Sequence, residues 1–172
     1  MPQCDNSRVV QVHFNDLDAL GMVHHAYYAI LLDRAWTPFW TERGYSRHSP
    51  DAQQVIREIT VSYYVPIREP GEVSVDLWVN RVGKTSADFR FAIRSADKTV
   101  LHAEGKRVSV RLDAKTHRPT PWSDEARREM TALIRPSDPG DEPGAAVSGR
   151  TSDTDQESSP RRDVVDATST AR

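Results

Sequence analysis

Two carboxylates, a glycine and two histidines fall within Asp16-Leu17-Asp18-Ala19-Leu20-Gly21-Met22-Val23-His24-His25. A carboxylate in a loop that feeds a helix can act as a base or nucleophile, because the first-turn amides and the helix dipole can hold an oxyanion beside it. That geometry suits acyl transfer. The same residues admit other chemistry. Asp16-x-Asp18 after a strand is also the pattern of metal-dependent phosphoryl transfer, with one carboxylate as nucleophile and the other as general acid. That reaction normally sits on strands alternating with helices around a parallel sheet. His24 and His25 beside the aspartates are candidate metal ligands, but adjacent helical residues point about 100° apart and no third ligand follows at a suitable spacing. Neither a metal nor an organic cofactor is expected.

The elements that would position these residues follow from periodicity. Val10, Val12 and Phe14 alternate with Gln11 and His13, as a half-buried strand does. After the polar turn, Tyr28, Leu32, Ala35 and Phe39 recur as the stripe of an amphipathic helix that Gly44 stops, with Pro38 expected to kink it or split off its last turn. Four more strands are predicted around Ile59–Val65, Val73–Val79, Ala87–Ile93 and Val100–Leu112. Val82-Gly83-Lys84-Thr85 suits a tight hairpin with Gly83 at positive φ, and Ala96-Asp97-Lys98 suits a second. In the last strand the apolar positions switch from odd to even, which predicts a β-bulge near Gly105 to Arg107. Ser123 caps a closing helix over residues 124–134. Strands joined by hairpins make an antiparallel sheet, so the fold class is α+β with one long helix on one sheet face. Exposed sheet edges favour pairing of subunits.

Composition sets the limits. The 172 residues allow one domain plus extensions, and the longest apolar run, Ala26 to Leu32, is far short of the ~20 residues of a membrane span. The start of the chain lacks the pattern of a secretory leader, and a single cysteine, Cys4, forms no internal disulfide, so a cytoplasmic setting is expected. Residues 136–172 have no aromatic, Leu or Ile and carry a net charge of −4, which reads as a disordered tail following a folded domain over 1–135. The folded part is only slightly basic, so no nucleic-acid partner is expected.

Asp16-x-Asp18-x-x-Gly21-x-Val23-x-His25-Ala26-x-Tyr28 occurs with Val61-Ser62-Tyr63-Tyr64-Val65-Pro66-Ile67-Arg68, Gly71-Glu72-Val73 and Arg81-Val82-Gly83-Lys84-Thr85-Ser86. Together these resemble the hotdog-fold acyl-CoA thioesterases of the 4-hydroxybenzoyl-CoA thioesterase type, over roughly residues 7–122. The resemblance implies a five-stranded antiparallel sheet wrapped around one long helix, in a homodimer or homotetramer whose sites are completed across the interface. It also implies hydrolysis of an acyl-CoA or acyl-carrier-protein thioester to a carboxylic acid and a thiol. Asp18 would be nucleophile or general base, His25 would orient the substrate, and amides around Gly21 to His25 would hold the thioester oxygen. Arg81, Lys84 and Ser86 would meet coenzyme A phosphates. Tyr28 and Tyr63 are candidate substrate contacts. His24, Pro38 and the tail depart from the family pattern.

Duller readings stand beside these. Asp16 reads as a turn residue that caps its own backbone. Tyr27, Trp36, Phe39, Trp40, Tyr63 and Trp78 suit a core or a subunit contact as well as an acyl pocket. A charged hairpin at Arg81 and Lys84 is commonly just solvated. The rival from another class is a non-catalytic hotdog module that binds acyl-CoA.

Overall fold

The computed structural model describes residues 6–135. Cys4 and the expected tail lie outside the described residues. The chain order is β1 (Ser7–Val12), a single 3-10 turn (Phe14–Asp16), α1 (Tyr27–Thr41), β2 (Gln54–Tyr63), β3 (Gly71–Val82), β4 (Ser86–Ser95), β5 (Leu101–Arg111) and α2 (Asp124–Ala132). The five strands form one antiparallel sheet in the order β1-β3-β4-β5-β2. Hairpins join β3 to β4 and β4 to β5. β2 skips its sequence neighbour β3 and closes the far edge against β5, with Val61 opposite Gly105.

Inward residues alternate as a half-buried sheet requires: Val73, Val75, Leu77 and Val79 on β3 face the same side as Ala87, Phe89, Phe91 and Ile93 on β4, and all eight are buried. α1 lays Tyr28, Leu31, Leu32, Ala35 and Phe39 against this face on the β1 and β3 side. A second cluster gathers Val79, Phe89, Trp122, Ala126 and Met130 under α2, and Trp36 and Trp40 touch both clusters. The Ser123 hydroxyl accepts the Ala126 N–H at 3.1 Å, which is the expected cap of α2.

Several sequence expectations need correction. Phe14 leaves β1 and is 76% exposed, because the chain already turns at His13. Val65 falls beyond the end of β2, which begins five residues earlier than expected. α1 runs through Pro38 to Thr41 without shedding its final turn, and Gly44 at φ +86 follows its end. Gly83 does not take positive φ. Its N–H donates to the Ser86 carbonyl at 2.8 Å, and a Cβ there would meet that oxygen at 3.1 Å, so close approach is what the position asks of glycine. In the second hairpin Lys98 holds the positive φ, +63.

No bulge occurs at Gly105 to Arg107. The register shifts fall instead at Arg57 on β2, Asn80 on β3 and His102 on β5. The inward face of β5 keeps its odd phase through Ala103, Gly105, Arg107 and Ser109, and Val108, itself buried, and Val110 take the opposite face. The apparent switch arose because an arginine and a serine occupy interior positions. Gly105 is fixed by contact: a Cβ on it would sit 1.9 Å from the Thr60 carbonyl and 2.9 Å from the Phe91 ring.

Candidate active site

The turn between β1 and α1 has an inner and an outer carboxylate. Asp16 is 1% exposed, and its carboxylate accepts two bonds from the Arg34 guanidinium at 2.5 and 2.9 Å and one from the His13 N–H at 2.9 Å. The bonded Arg34 guanidinium holds its carboxyl below the usual aspartate range against the opposing effect of burial. The Asp16 main-chain carbonyl also accepts the His24 N–H at 3.0 Å. Arg34 ties the turn to α1 and was not legible in the sequence, since nothing in the chain marks a partner eighteen residues away.

Asp18 is half-buried and differently held. Its Oδ1 accepts the Leu20 N–H at 2.8 Å and the Met22 N–H at 3.3 Å, and its Oδ2 has no hydrogen-bond partner among the described residues. One oxygen is fixed by the turn and the other is left for a substrate or a water. Gly21, at φ +69, closes this turn by donating its N–H to the Asp18 carbonyl at 3.0 Å. No Cβ clash explains the glycine, so backbone conformation does.

The amides that could hold an oxyanion are now distinguishable. Gly21, Met22, Val23 and His24 each donate to a partner within the chain: the Asp18 carbonyl, Asp18 Oδ1, the Ile67 carbonyl and the Asp16 carbonyl. Ala26 donates to His24 Nδ1 at 3.3 Å. The His25 N–H, one residue before that and at the mouth of α1, has no acceptor among the described residues. The expected Gly21 to His25 set thus narrows to its last member, with Gly21 serving the turn.

His25 is exposed, and its ring lies tilted by 35° against that of His24 with centroids 4.1 Å apart. Tyr63 donates its hydroxyl to the His25 carbonyl at 3.2 Å and meets Tyr28 edge-on at 5.0 Å. Tyr28 itself is only 3% exposed; its phenol oxygen accepts the Ile67 N–H at 3.4 Å, and burial raises its pKa. Tyr63 and His25 are therefore open neighbours of the turn, and Tyr28 is a core residue that braces it. Arg81, Lys84 and Ser86 are not brought to this place. The turn leaves β1 where Val12 pairs with Gly71, and Arg81 lies ten residues along β3 from Gly71, about 33 Å at strand rise. Among the described residues no group of three His, Cys, Asp or Glu side chains is placed to hold a metal ion, and no helix is long and apolar enough to cross a membrane.

Comparison with known proteins gives a consistent answer. The family profile described as thioesterase-like superfamily matches residues 12–130. The Escherichia coli acyl-CoA thioester hydrolase YbgC is 31% identical over 96 residues, which cover 54% of this chain and 72% of that protein. Among solved structures, the PA5185 protein of Pseudomonas aeruginosa superposes with a TM-score of 0.69 at 22% identity, covering 74% of this chain and 90% of its own. A Thermus thermophilus thioesterase solved with coenzyme A and zinc gives 0.65 at 26% identity, covering 76% and 95%. The matched region contains β1's end, the Asp16–His25 turn, α1 and the whole of the remaining sheet, and on that evidence the chain belongs to the thioesterase-like superfamily and has its hotdog fold.

Proposed function

We propose that the protein hydrolyses acyl-CoA thioesters, with Asp18 Oδ2 as the attacking or base oxygen and the His25 N–H as a donor to the thioester carbonyl. The supporting observation is the division of labour in the turn: one Asp18 oxygen is employed by two backbone amides while the other, and the His25 amide at the positive end of α1, have no partners among the described residues. As the carbonyl carbon becomes tetrahedral its oxygen gains charge, and an amide at a helix mouth stabilises that charge more than it does the ground state. The attacking group is either Oδ2 itself, giving an acyl-aspartyl anhydride that water then opens, or a water that Oδ2 deprotonates. In both routes the sulfur leaves as thiolate and the acyl group ends as a carboxylic acid. His25 orients the acyl portion beside Tyr63.

An acyl carrier protein in place of coenzyme A, and an aryl acyl group of the 4-hydroxybenzoyl type, are narrower readings of the same site. The protein works as a homodimer or homotetramer in this proposal. β2 is an edge strand with Val55, Ile56, Ile59 and Tyr63 exposed, an apolar margin that a second copy would cover. Arg81, Lys84 and Ser86, too far along β3 to serve their own Asp18, would then meet coenzyme A phosphates in a neighbour's site. Residues 1–135 form the folded unit.

Thiol release from a panel of acyl-CoA and acyl-carrier-protein thioesters tests the activity. Binding of acyl-CoA without any thiol release would replace the hydrolase with the non-catalytic module. A single turnover in oxygen-18 water, followed by mass measurement of the peptide containing Asp18, separates attack by Asp18 from activation of water.

A further inference from the structure

A cavity of about 320 Å³ lies away from the turn, between the second half of α1, α2 and the segment 45–54. Trp36, Trp40, Tyr45 and Trp122 form its aromatic walls, and Arg107 and Arg47 also line it. Along α1, Trp36 and Trp40 lie about 14 and 20 Å beyond Tyr27 at helical rise, so the cavity is remote from the His25 amide of the same chain.

Its polar groups are lopsided. Trp40 Nε1, Trp122 Nε1, the Tyr45 hydroxyl and Arg107 Nε are all buried without a hydrogen-bond partner among the described residues. A buried polar group without a partner costs roughly 1–3 kcal/mol, so four around one cavity call for an explanation. All four are donors. The one carboxylate in the wall, Asp51, is already committed: it forms an ion pair with Arg111, Nε to Oδ1 at 2.8 Å, and accepts the Ser123 N–H and hydroxyl at 2.9 and 2.6 Å. Arg107 is 9% exposed, places its Cζ over the Trp36 ring 4.2 Å from the centroid, and spends one nitrogen on Asp33 at 2.5 Å. Its Nη2 makes no hydrogen bond among the described residues. The Asp33 carboxylate faces solvent, 64% exposed, where water weakens its hold. Burial pushes the Tyr45 phenol up to about 12, so it stays protonated and able to donate.

We propose that this cavity is a second ligand site, separate from the hydrolytic one, that takes a flat aromatic carboxylate. Aromatic walls meet a planar ring at edge or face, and an anionic oxygen is the partner that an excess of donors including a guanidinium lacks. The volume holds a two-ring compound. The donors are covered by their neighbours, so the occupant engages them through small rotations of the indoles and the phenol.

The test uses the full chain with 2-naphthoate as probe and naphthalene as the same ring without the acid. Calorimetry should give one 2-naphthoate per chain, bound at least tenfold more tightly than naphthalene, and the indole N–H resonances of Trp40 and Trp122 should move. Tyr45→Phe should weaken 2-naphthoate at least fivefold while the melting temperature holds or rises, because in the free protein that hydroxyl has no bond to lose. Arg107→Gln should weaken it at least tenfold; if that variant fails to fold, Tyr45→Phe decides. Asp18→Asn should bind 2-naphthoate as tightly as the parent, which keeps this result independent of the proposed hydrolysis. Equal affinity for the two probes, unmoved indole resonances, binding indifferent to Tyr45→Phe, or displacement of 2-naphthoate by acyl-CoA would each overturn the separate site.

Discussion

The two carboxylates of the β1–α1 turn sit two residues apart and live in opposite circumstances. Asp16 is enclosed, holds three hydrogen bonds and pairs with Arg34. Asp18 is half open, bonded on one oxygen and, among the described residues, without a partner on the other. An enclosed carboxylate with both oxygens bonded can hold a shape but has little left to offer a substrate. The pair teaches that position in a motif does not assign a role until the bonds at each oxygen are counted.

The sharpest way to break this contrast is Asp18→Asn. It keeps the shape and the two amide bonds at Oδ1 but removes the charge, so kcat should fall at least ~100-fold, about 2.7 kcal/mol, with the thermal melt unchanged. Near-native turnover would move the chemistry elsewhere. Asp16→Asn should do the reverse. It leaves the Arg34 cation short of a counter-charge and should cost about 2 kcal/mol of stability, less than the 3–5 of a fully buried pair because Arg34 is 30% exposed. Denaturant unfolding measures it, and kcat per folded molecule should drop only modestly. If Asp16→Asn lowered kcat more than Asp18→Asn with its melt intact, the two roles would have to be exchanged.

Acid sharpens the same comparison. Because Arg34 lowers the Asp16 pKa in the folded protein, the unfolded chain binds the proton first, and the stability from this pair is complete above the ordinary aspartate range. It is lost as pH falls through the lower folded value. The parent should therefore lose stability more steeply below about pH 4 than Asp16→Asn does, read from urea midpoints across pH. Gly21→Ala should have a smaller effect, about 1 kcal/mol, since the side chain would meet open space and only the φ of +69 is strained. The smallest effect is expected from ending the chain at residue 135. If 1–135 is the folded unit, the melting temperature should change by less than about 5 °C and both carboxylates should behave as before.

Most of this arrangement was legible where local rules apply. Period-two alternation located all five strands and a helical stripe located α1, and Ser123 announced the start of α2. The motif placed Asp18, Gly21 and His25 on one turn. What was hidden depends on distant partners. Arg34 carries no mark of its bond to Asp16, and Arg107 and Ser109 disguised the inward face of β5, because polar residues at core positions look like a change of phase. The register shifts at Arg57, Asn80 and His102 are set by what lies across the ladder, and so is the separation of Arg81, Lys84 and Ser86 from the turn.

The partnership of β2 with β5 bears on how the chain is made. During synthesis β2 leaves the ribosome long before β5, so Val55, Ile56 and Ile59 wait as an unpaired apolar segment while the β3–β4–β5 meander is still being completed. Loop closure over that separation is slow relative to hairpin formation, and β2 should be the last strand to dock. The interval before docking is when the chain is most exposed to aggregation and to chaperones. Gly105 governs the end of that interval, because Thr60 can approach β5 only where there is no side chain.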